Sequence, residues 1–295
     1  MRVVRIKKGV SPKTLLIQRL QRERDRLSGK QAALASFLLR DYRRAAFMTA
    51  AELAVQLRIS SSTIVRFAVS LGFDGYPGLR RHLHQIVQED LTGTDLFALH
   101  LSRGERNPLH SLVQREIENL SRLLSDTSLD DLERLAGLIA KAPHVFVVGL
   151  RASSSLAQYF GYHLAKIHRH VVTTVSGGDS GLDALLSAGR SDIMVAIGFP
   201  RYPRATLELV DFARHEGLFV AAITESVLSP LAKRADITIP VRIHVTSFVD
   251  SFAAPQVLLT ALLGLVSVRD QGMTEGRLRR FEEMAKSQRL FHSED

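Results

Sequence analysis

Five side chains able to read the edge of a base pair fall in one short run: Ser60, Ser61, Ser62, Thr63 and Arg66. Hydroxyls donate or accept in a groove, and a guanidinium grips a guanine through two bonds. A second set suits a small anion. Arg151, Ser153 and Ser154 follow the apolar run HVFVVG, Arg201 and Tyr202 follow DIMVAIG, and Thr224 closes LFVAAIT. Hydroxyls and arginines at strand ends, just ahead of helices, fit a phosphate or a carboxylate. Against both sets stands a plainer reading, in which the serines only cap helices and the arginines stay in water.

The first set needs a pair of helices to present it. Thr49-Ala-Ala-Glu52 is a capping box that starts one helix, along which Leu53 and Leu57 repeat at helical spacing. Ile59-Ser60 breaks that pattern, and Ser60 to Ser62 offer a new N-cap. Ile64, Phe67, Ala68 and Leu71 then fall on one apolar face, leaving Ser62, Arg66, Val69 and Ser70 on the other. A helix-turn-helix places such a second helix in the major groove. Thr49, Ser60, Ser61, Ser62, Thr63 and Arg66 are therefore the candidate DNA contacts. Gly72 suits the helix end, and Gly75 with Pro77 suits a turn.

Around this pair the spacing predicts helices over about 12–28, 30–42 and 78–91, burying Leu34, Phe37 and Leu38 in the second and Leu79, Leu83, Ile86 and Val87 in the third. Arg80, Arg81, His82 and His84 are expected in water, with the DNA backbone as the alternative. Residues 1–12 read as a loose basic arm.

Charge supports the assignment. Residues 1–91 carry 17 Lys and Arg against 7 Asp and Glu, whereas residues 92–295 carry 22 against 23. The net +9 of the chain thus sits in its first third. Phosphate neutralisation supplies most non-specific DNA affinity, so a basic head on a neutral body points to double-stranded DNA as partner.

The 295 residues suffice for two domains. No cysteine is present, which excludes disulfides and thiol chemistry. The start, MRVVRIKKGVSPKTLL, lacks the apolar run of a signal peptide. The apolar stretch 257–268 is too short to span a bilayer, so a cytoplasmic protein without membrane contact is expected.

From His144 the texture changes. HVFVVG, DIMVAIG, LFVAAIT and ITIPV are short β-branched runs, and helical patterns over 152–168, 180–188, 205–216 and 229–234 alternate with them. That alternation predicts a parallel sheet covered on both sides, closed by a helix over 248–269. The expected fold is an all-α N-terminal helix-turn-helix domain plus an α/β C-terminal domain with a parallel sheet flanked by helices. Its divisions are a helical DNA-binding domain at 1–91 (core 49–71), a linker and connecting helix at 92–127, an effector-binding domain at 128–269 and a helical tail at 270–295.

The segment ELAVQLRISSSTIVRFAVSLGFDGYPGLR resembles the N-terminal helix-turn-helix of the RpiR family of bacterial regulators. The resemblance rests on Glu52-Leu53-Ala54, Ser60 to Thr63, Arg66-Phe67 and Leu71-Gly72-Phe73-Asp74-Gly75-Tyr76. The C-terminal half resembles the sugar isomerase (SIS) domain that such regulators carry. Its marks are the Gly149 to Ser153 loop and the run Ile223, Thr224, Ser229, Pro230, Leu231, Ala232, Ala235, Asp236. The resemblance implies a phosphosugar-binding sensor, and SIS domains pair, so a homodimer or homotetramer is implied as well.

Two departures from the family pattern matter. Arg151 stands where the first loop commonly has its second glycine. Gly198-Phe199-Pro200-Arg201-Tyr202-Pro203 replaces the Ser-x-Ser-Gly-x-Thr cradle. Either an anion is held by Arg151 or Arg201 instead of a serine nest, or the ligand is not a phosphosugar. Ser153 carries over cleanly.

Nothing in the sequence marks an enzyme. Sugar isomerisation needs a positioned base and a second proton-moving group, and His144, His163, His168, His170 and Glu225 show no paired spacing. Motifs for a metalloprotease, a nucleophile elbow or a nucleotide-binding loop are missing. Scattered histidines without cysteine give no metal set, and no cofactor is implied. The leading expectation is a DNA-binding transcriptional regulator that senses a small anionic metabolite, a sugar phosphate or related compound. A phosphosugar isomerase with an added basic domain is the alternative, and a non-specific nucleoid protein is the third.

Overall fold

The computed structural model describes residues 12–23, 26–46, 48–90, 94, 108–243 and 249–292. The chain divides into two compact units, Met1–Asp95 and Leu96–Asp295. The basic arm expected at 1–12 and most of the linker at 92–107 lie outside the described residues.

The first unit holds α1 (Pro12–Glu23), α2 (Gly29–Ala45), α3 (Ala50–Leu57), α4 (Ser61–Ser70) and α5 (Gly75–Asp90). Its core is built from the residues the helical spacing selects: Leu34, Phe37 and Leu38 of α2, Leu53 of α3, Ile64, Phe67 and Ala68 of α4, and Leu79, Leu83, Ile86 and Val87 of α5 are all buried. Both α2 and α3 begin with complete capping boxes, Ser28 with Gln31 and Thr49 with Glu52. Between α3 and α4 the chain turns through Arg58, which takes the left-handed conformation at φ 51°. Helix α4 stops at Gly72, φ 78°. There the Phe73 N–H reaches back to the Ala68 carbonyl at 3.0 Å and the Gly72 N–H to Val69 at 2.8 Å. This closing pattern needs a left-handed residue, and glycine adopts it without steric cost.

The residues after α4 lock the unit. Tyr76 is buried, its hydroxyl donates to the Met48 carbonyl at 2.8 Å, and burial pushes that hydroxyl up to about 12. Two basic side chains expected in water are not there. His82 is buried against the Phe73 ring, with centroids 5.1 Å apart, and the Arg80 Nε donates to the Ala46 carbonyl at 3.1 Å. Position on the inner flank of α5 outweighs their polarity. Arg81 is exposed as expected.

The second unit begins with α6 (Pro108–Asp126) and α7 (Leu129–Lys141). The alternating part follows: β1 (Val145–Val148), α8 (Ser154–Ile167), β2 (Val171–Thr174), α9 (Asp179–Asp183), β3 (Ile193–Ile197), α10 (Arg204–His215), β4 (Phe219–Thr224) and β5 (Ile237–Pro240). Helices α11 (Ala253–Ser267) and α12 (Gln271–Ser287) complete it. The five strands form one parallel sheet in the order β2-β1-β3-β4-β5. All residues of β1 and β3 are buried, which is why those runs are apolar throughout instead of alternating. One face of the sheet packs Leu135 and Ile139 of α7, Phe160 and Leu164 of α8, and Leu259 and Leu262 of α11. The other packs Leu209, Val210 and Ala213 of α10. The fold class read from the sequence is the one observed.

Strand β2 was not foreseen. Val171-Val172-Thr173-Thr174 is a short edge strand, half-exposed over most of its length, and carries no buried apolar run. Three helices are shorter than their patterns suggest. Helix α11 starts at Ala253 because Pro255 is tolerated in a first turn and would break a helix begun at 248. Helix α9 is a short piece since Leu185 is the one leucine of that region that is buried, while Leu182 and Leu186 face water. The pattern over 229–234 yields a 3-10 turn, Ala232–Arg234.

Candidate functional site

Two places could bind something, one in each unit. In the first, helix α4 divides into a packed face and an open one. Ser61, Ser62, Val65, Arg66, Val69 and Ser70 are exposed, and Thr63 is half-exposed. Ser60 is the N-cap: its hydroxyl accepts from the Thr63 N–H at 3.2 Å and lies 2.9 Å from the Ser62 Oγ and 2.8 Å from the Thr63 Oγ1. The Thr49 hydroxyl accepts from the Glu52 N–H at 3.2 Å and donates to the Glu52 carboxylate at 2.9 Å. Thr49 and Ser60 therefore hold helix starts, while Ser61, Ser62 and Arg66 stand outward. Val65 was missed by sequence reasoning. With Val69 it adds apolar surface to the open face, of the kind that meets a thymine methyl.

The second place is the carboxyl end of the parallel sheet, where ligands of such folds bind. The order β2-β1-β3 puts the reversal of winding between β1 and β3. The loop after β1 closes tightly on α8: a Cβ on Gly149 would come within 2.7 Å of the Ser153 carbonyl oxygen. Arg151 in this loop is exposed and held at φ 58°. Ser153 is buried and occupies the N-cap of α8, yet its side chain makes no capping bond. The plain reading of that serine as a helix cap does not apply. Ser154 is half-buried.

The ends of β3 and β4 are tied together. The Tyr202 ring folds over Gly198, 3.6 Å from where a Cβ would stand. Its hydroxyl lies 2.9 Å from the Thr224 Oγ1 and donates to the Glu225 carboxylate. Thr224 is fully buried, and its hydroxyl contacts Glu225 at 2.9 Å and Ser229 at 3.2 Å. Ser229 in turn accepts from the Ala232 N–H at 2.9 Å. Burial pushes the Glu225 carboxyl above the usual carboxylate range, and its bonds to Tyr202 and Thr224 only partly offset that. Burial and the adjacent Glu225 charge push the Tyr202 hydroxyl up as well. Asp250 is also raised by burial, opposed by the charge of Arg201. Arg201 itself is exposed.

Of the residues singled out in sequence, Tyr202 and Thr224 come together as one network, Arg201 lies within electrostatic reach of Asp250, and Arg151 with Ser153 forms a separate end. Ser229 was visible only as part of the SPLA run. Asp250 had no signal, being isolated in its stretch of sequence. Among the described residues no group of three or more His, Cys, Asp or Glu is placed to hold a metal ion. Among the described residues no single helix is long and apolar enough to cross a membrane.

A model of the helix-turn-helix domain of the rpiR family matches residues 14–90, and a model of the SIS domain matches residues 138–265. The chain thus carries a helix-turn-helix of the rpiR family followed by a SIS domain. The second unit is similar to the sugar isomerase domain of an RpiR transcription factor from Sphaerobacter thermophilus, at 25% identity and a TM-score of 0.58, covering 61% of this chain and 99% of that one. The NanR protein of Vibrio vulnificus, solved in complex with ManNAc-6P, shares the fold over 95% of this chain and 100% of its own, at 16% identity and a TM-score of 0.57. An RpiR-type helix-turn-helix joined to a SIS domain is the make-up of a DNA-binding transcriptional regulator, and this chain is of that class.

Proposed function

We propose that the open face of α4 reads operator DNA through Ser61, Ser62, Thr63 and Arg66, with the helix starts at Thr49 and Ser60 set against the phosphate backbone. The observation that carries this is the split of α4 into a fully packed face and an outward face of hydroxyls, one guanidinium and two valines. The strand-end crevice binds a small anionic metabolite, a sugar phosphate or a related compound, with Arg151, Ser153 and Ser154 as the anion end. Two buried hydroxyls near the strand ends support a polar ligand: Thr174 Oγ1 at the end of β2 and Thr206 Oγ1 in the first turn of α10 have no hydrogen-bond partner. Binding alters transcription only insofar as the effector favours one arrangement of the DNA heads over another. Such a regulator works where the DNA is, in the cytoplasm.

We infer that the chain acts without catalysis. Among its histidines, His144, His168 and His170 lie at the amino ends of β1 and β2, opposite the crevice. A second copy of the chain is the natural cover for α6, whose Leu109, Val113, Ile117 and Leu124 are exposed. Paired readers also match a two-fold operator.

The test is a footprint of the purified protein on its own upstream DNA, with and without a panel of phosphosugars and small carboxylates. A protected site whose occupancy changes with one compound is expected. Protection nowhere under any condition overturns the DNA reading, and turnover of a phosphosugar lost in a Glu225→Gln variant would restore the isomerase reading.

A further inference from the structure

The two ends of the crevice have opposite electrostatic character. At the β1 end, Arg151 forms no ion pair among the described residues, and Ser153 leaves its cap bond unmade. At the β3–β4 end the cations are answered from within the protein: Asp250 feels the charge of Arg201, and the Arg204 Nε donates to the Glu208 carboxylate at 2.7 Å. Beside them Glu225 is fixed by Tyr202 and Thr224. Thr224 is fully buried and bonded to Ser229, itself anchored on the backbone at Ala232. The carboxyl is therefore built in, and its position does not depend on a flexible side chain finding a partner.

We propose that Glu225 is the specificity-determining residue of the crevice, turning phosphate and carboxylate groups away from the β3–β4 end and accepting a hydrogen bond from a hydroxyl or ammonium group of the effector. This deepens, and rests on, the reading of the strand ends as the effector site. A carboxylate next to a phosphate repels it as a like charge, whereas a hydroxyl or ammonium donor facing it forms a charge-assisted bond. The effector then lies with its anionic group on Arg151 and Ser153 and its donor group on Glu225. An amino sugar phosphate or a polyol phosphate has that polarity.

The experiment is calorimetric titration of the full chain and of Glu225→Gln with three probes: inorganic phosphate, glucose 6-phosphate and glucosamine 6-phosphate. The last two differ in a single hydroxyl exchanged for an ammonium group. In the variant, inorganic phosphate should bind about tenfold more tightly, and any preference for the amino sugar should vanish. Glu225→Ser, which places a hydroxyl there, carries the same expectation if the glutamine variant melts early. Phosphate affinity unchanged in both folded variants overturns the role of Glu225. If phosphate binding is then still abolished by Arg151→Ala, the crevice remains the effector site and only the specificity inference falls. Binding of no probe by wild type or variants overturns both.

Discussion

The Arg19 guanidinium donates from Nη1 to the Leu71 carbonyl at 3.0 Å and to the Gly72 carbonyl at 3.1 Å, while lying 4.4 Å above the Phe73 ring. Helix α1 thus holds the carboxyl end of α4. A cation there also answers the negative end of the helix dipole. Burial and the Arg22 charge hold this guanidinium below its ordinary value. Arg19→Ala should cost about 1–2 kcal/mol, discounted for partial exposure. Operator affinity should fall with it, and Arg19→Lys should recover only part of the loss because an ammonium cannot stack on the Phe73 ring as the planar guanidinium does. Thermal unfolding and gel-shift titration of the three proteins check this.

Arg66 should behave in the opposite way. It stands exposed on α4, so Arg66→Ala should leave the unfolding curve unchanged and weaken operator binding by about 1–3 kcal/mol if it grips a guanine. A loss equal for all DNA sequences would instead mark a phosphate contact.

His168 is buried, with Nε2 placed to donate to the Ala142 carbonyl at 3.0 Å and Nδ1 accepting from the His170 N–H at 3.3 Å. Burial holds its pKa below the ordinary histidine value. The unfolded chain therefore takes up the proton first, and stability is lost as pH falls from about 6.5 toward the depressed value. His168→Gln keeps a donor for Ala142 without titrating. Its melting temperature should be flatter across that window than the wild type's.

For Glu225 and Asp250 the sign reverses. Their folded values are raised, so the folded state binds protons more tightly than the unfolded one. Their contribution is full below the usual carboxylate range and is lost as pH rises through the raised values. Glu225→Gln should therefore gain stability relative to wild type as pH rises toward neutrality and show no gain in acid. A gain that is the same at every pH would mean the carboxyl titrates normally.

Gly161 of α8 leaves room for Thr173 of β2, which an added Cβ would overlap. Gly161→Ala should cost about 1–3 kcal/mol by overpacking, in spite of alanine's better helix propensity. A rise in melting temperature would show that the strand can move aside.

The fold of α4 was legible residue by residue because its signals are local: cap, spacing and closing glycine all lie within one stretch. The buried runs of β1, β3 and β4 were legible for the same reason. Strand β2 was not, since its pairing with β1 comes from the partner strand and not from its own four residues. The crevice was half-legible. Arg151 and Ser153 follow directly from a strand end, but the bond between Tyr202 and Glu225 joins residues brought together only by neighbouring strands. Burial of Thr224 is likewise a property of the sheet. The Arg19 contact spans even more sequence, and a charged run gives no hint of which arginine turns inward.

Helix α4 is held at both ends, by the Ser60 hydroxyl at its start and by Arg19 at its finish. What it shows to the outside is therefore not what keeps it in place. If α4 reads the operator as proposed, exchanges at Ser61, Val65, Arg66 or Val69 would rewrite the preferred sequence while the scaffold stays folded, making this helix a replaceable cartridge for retargeting the regulator.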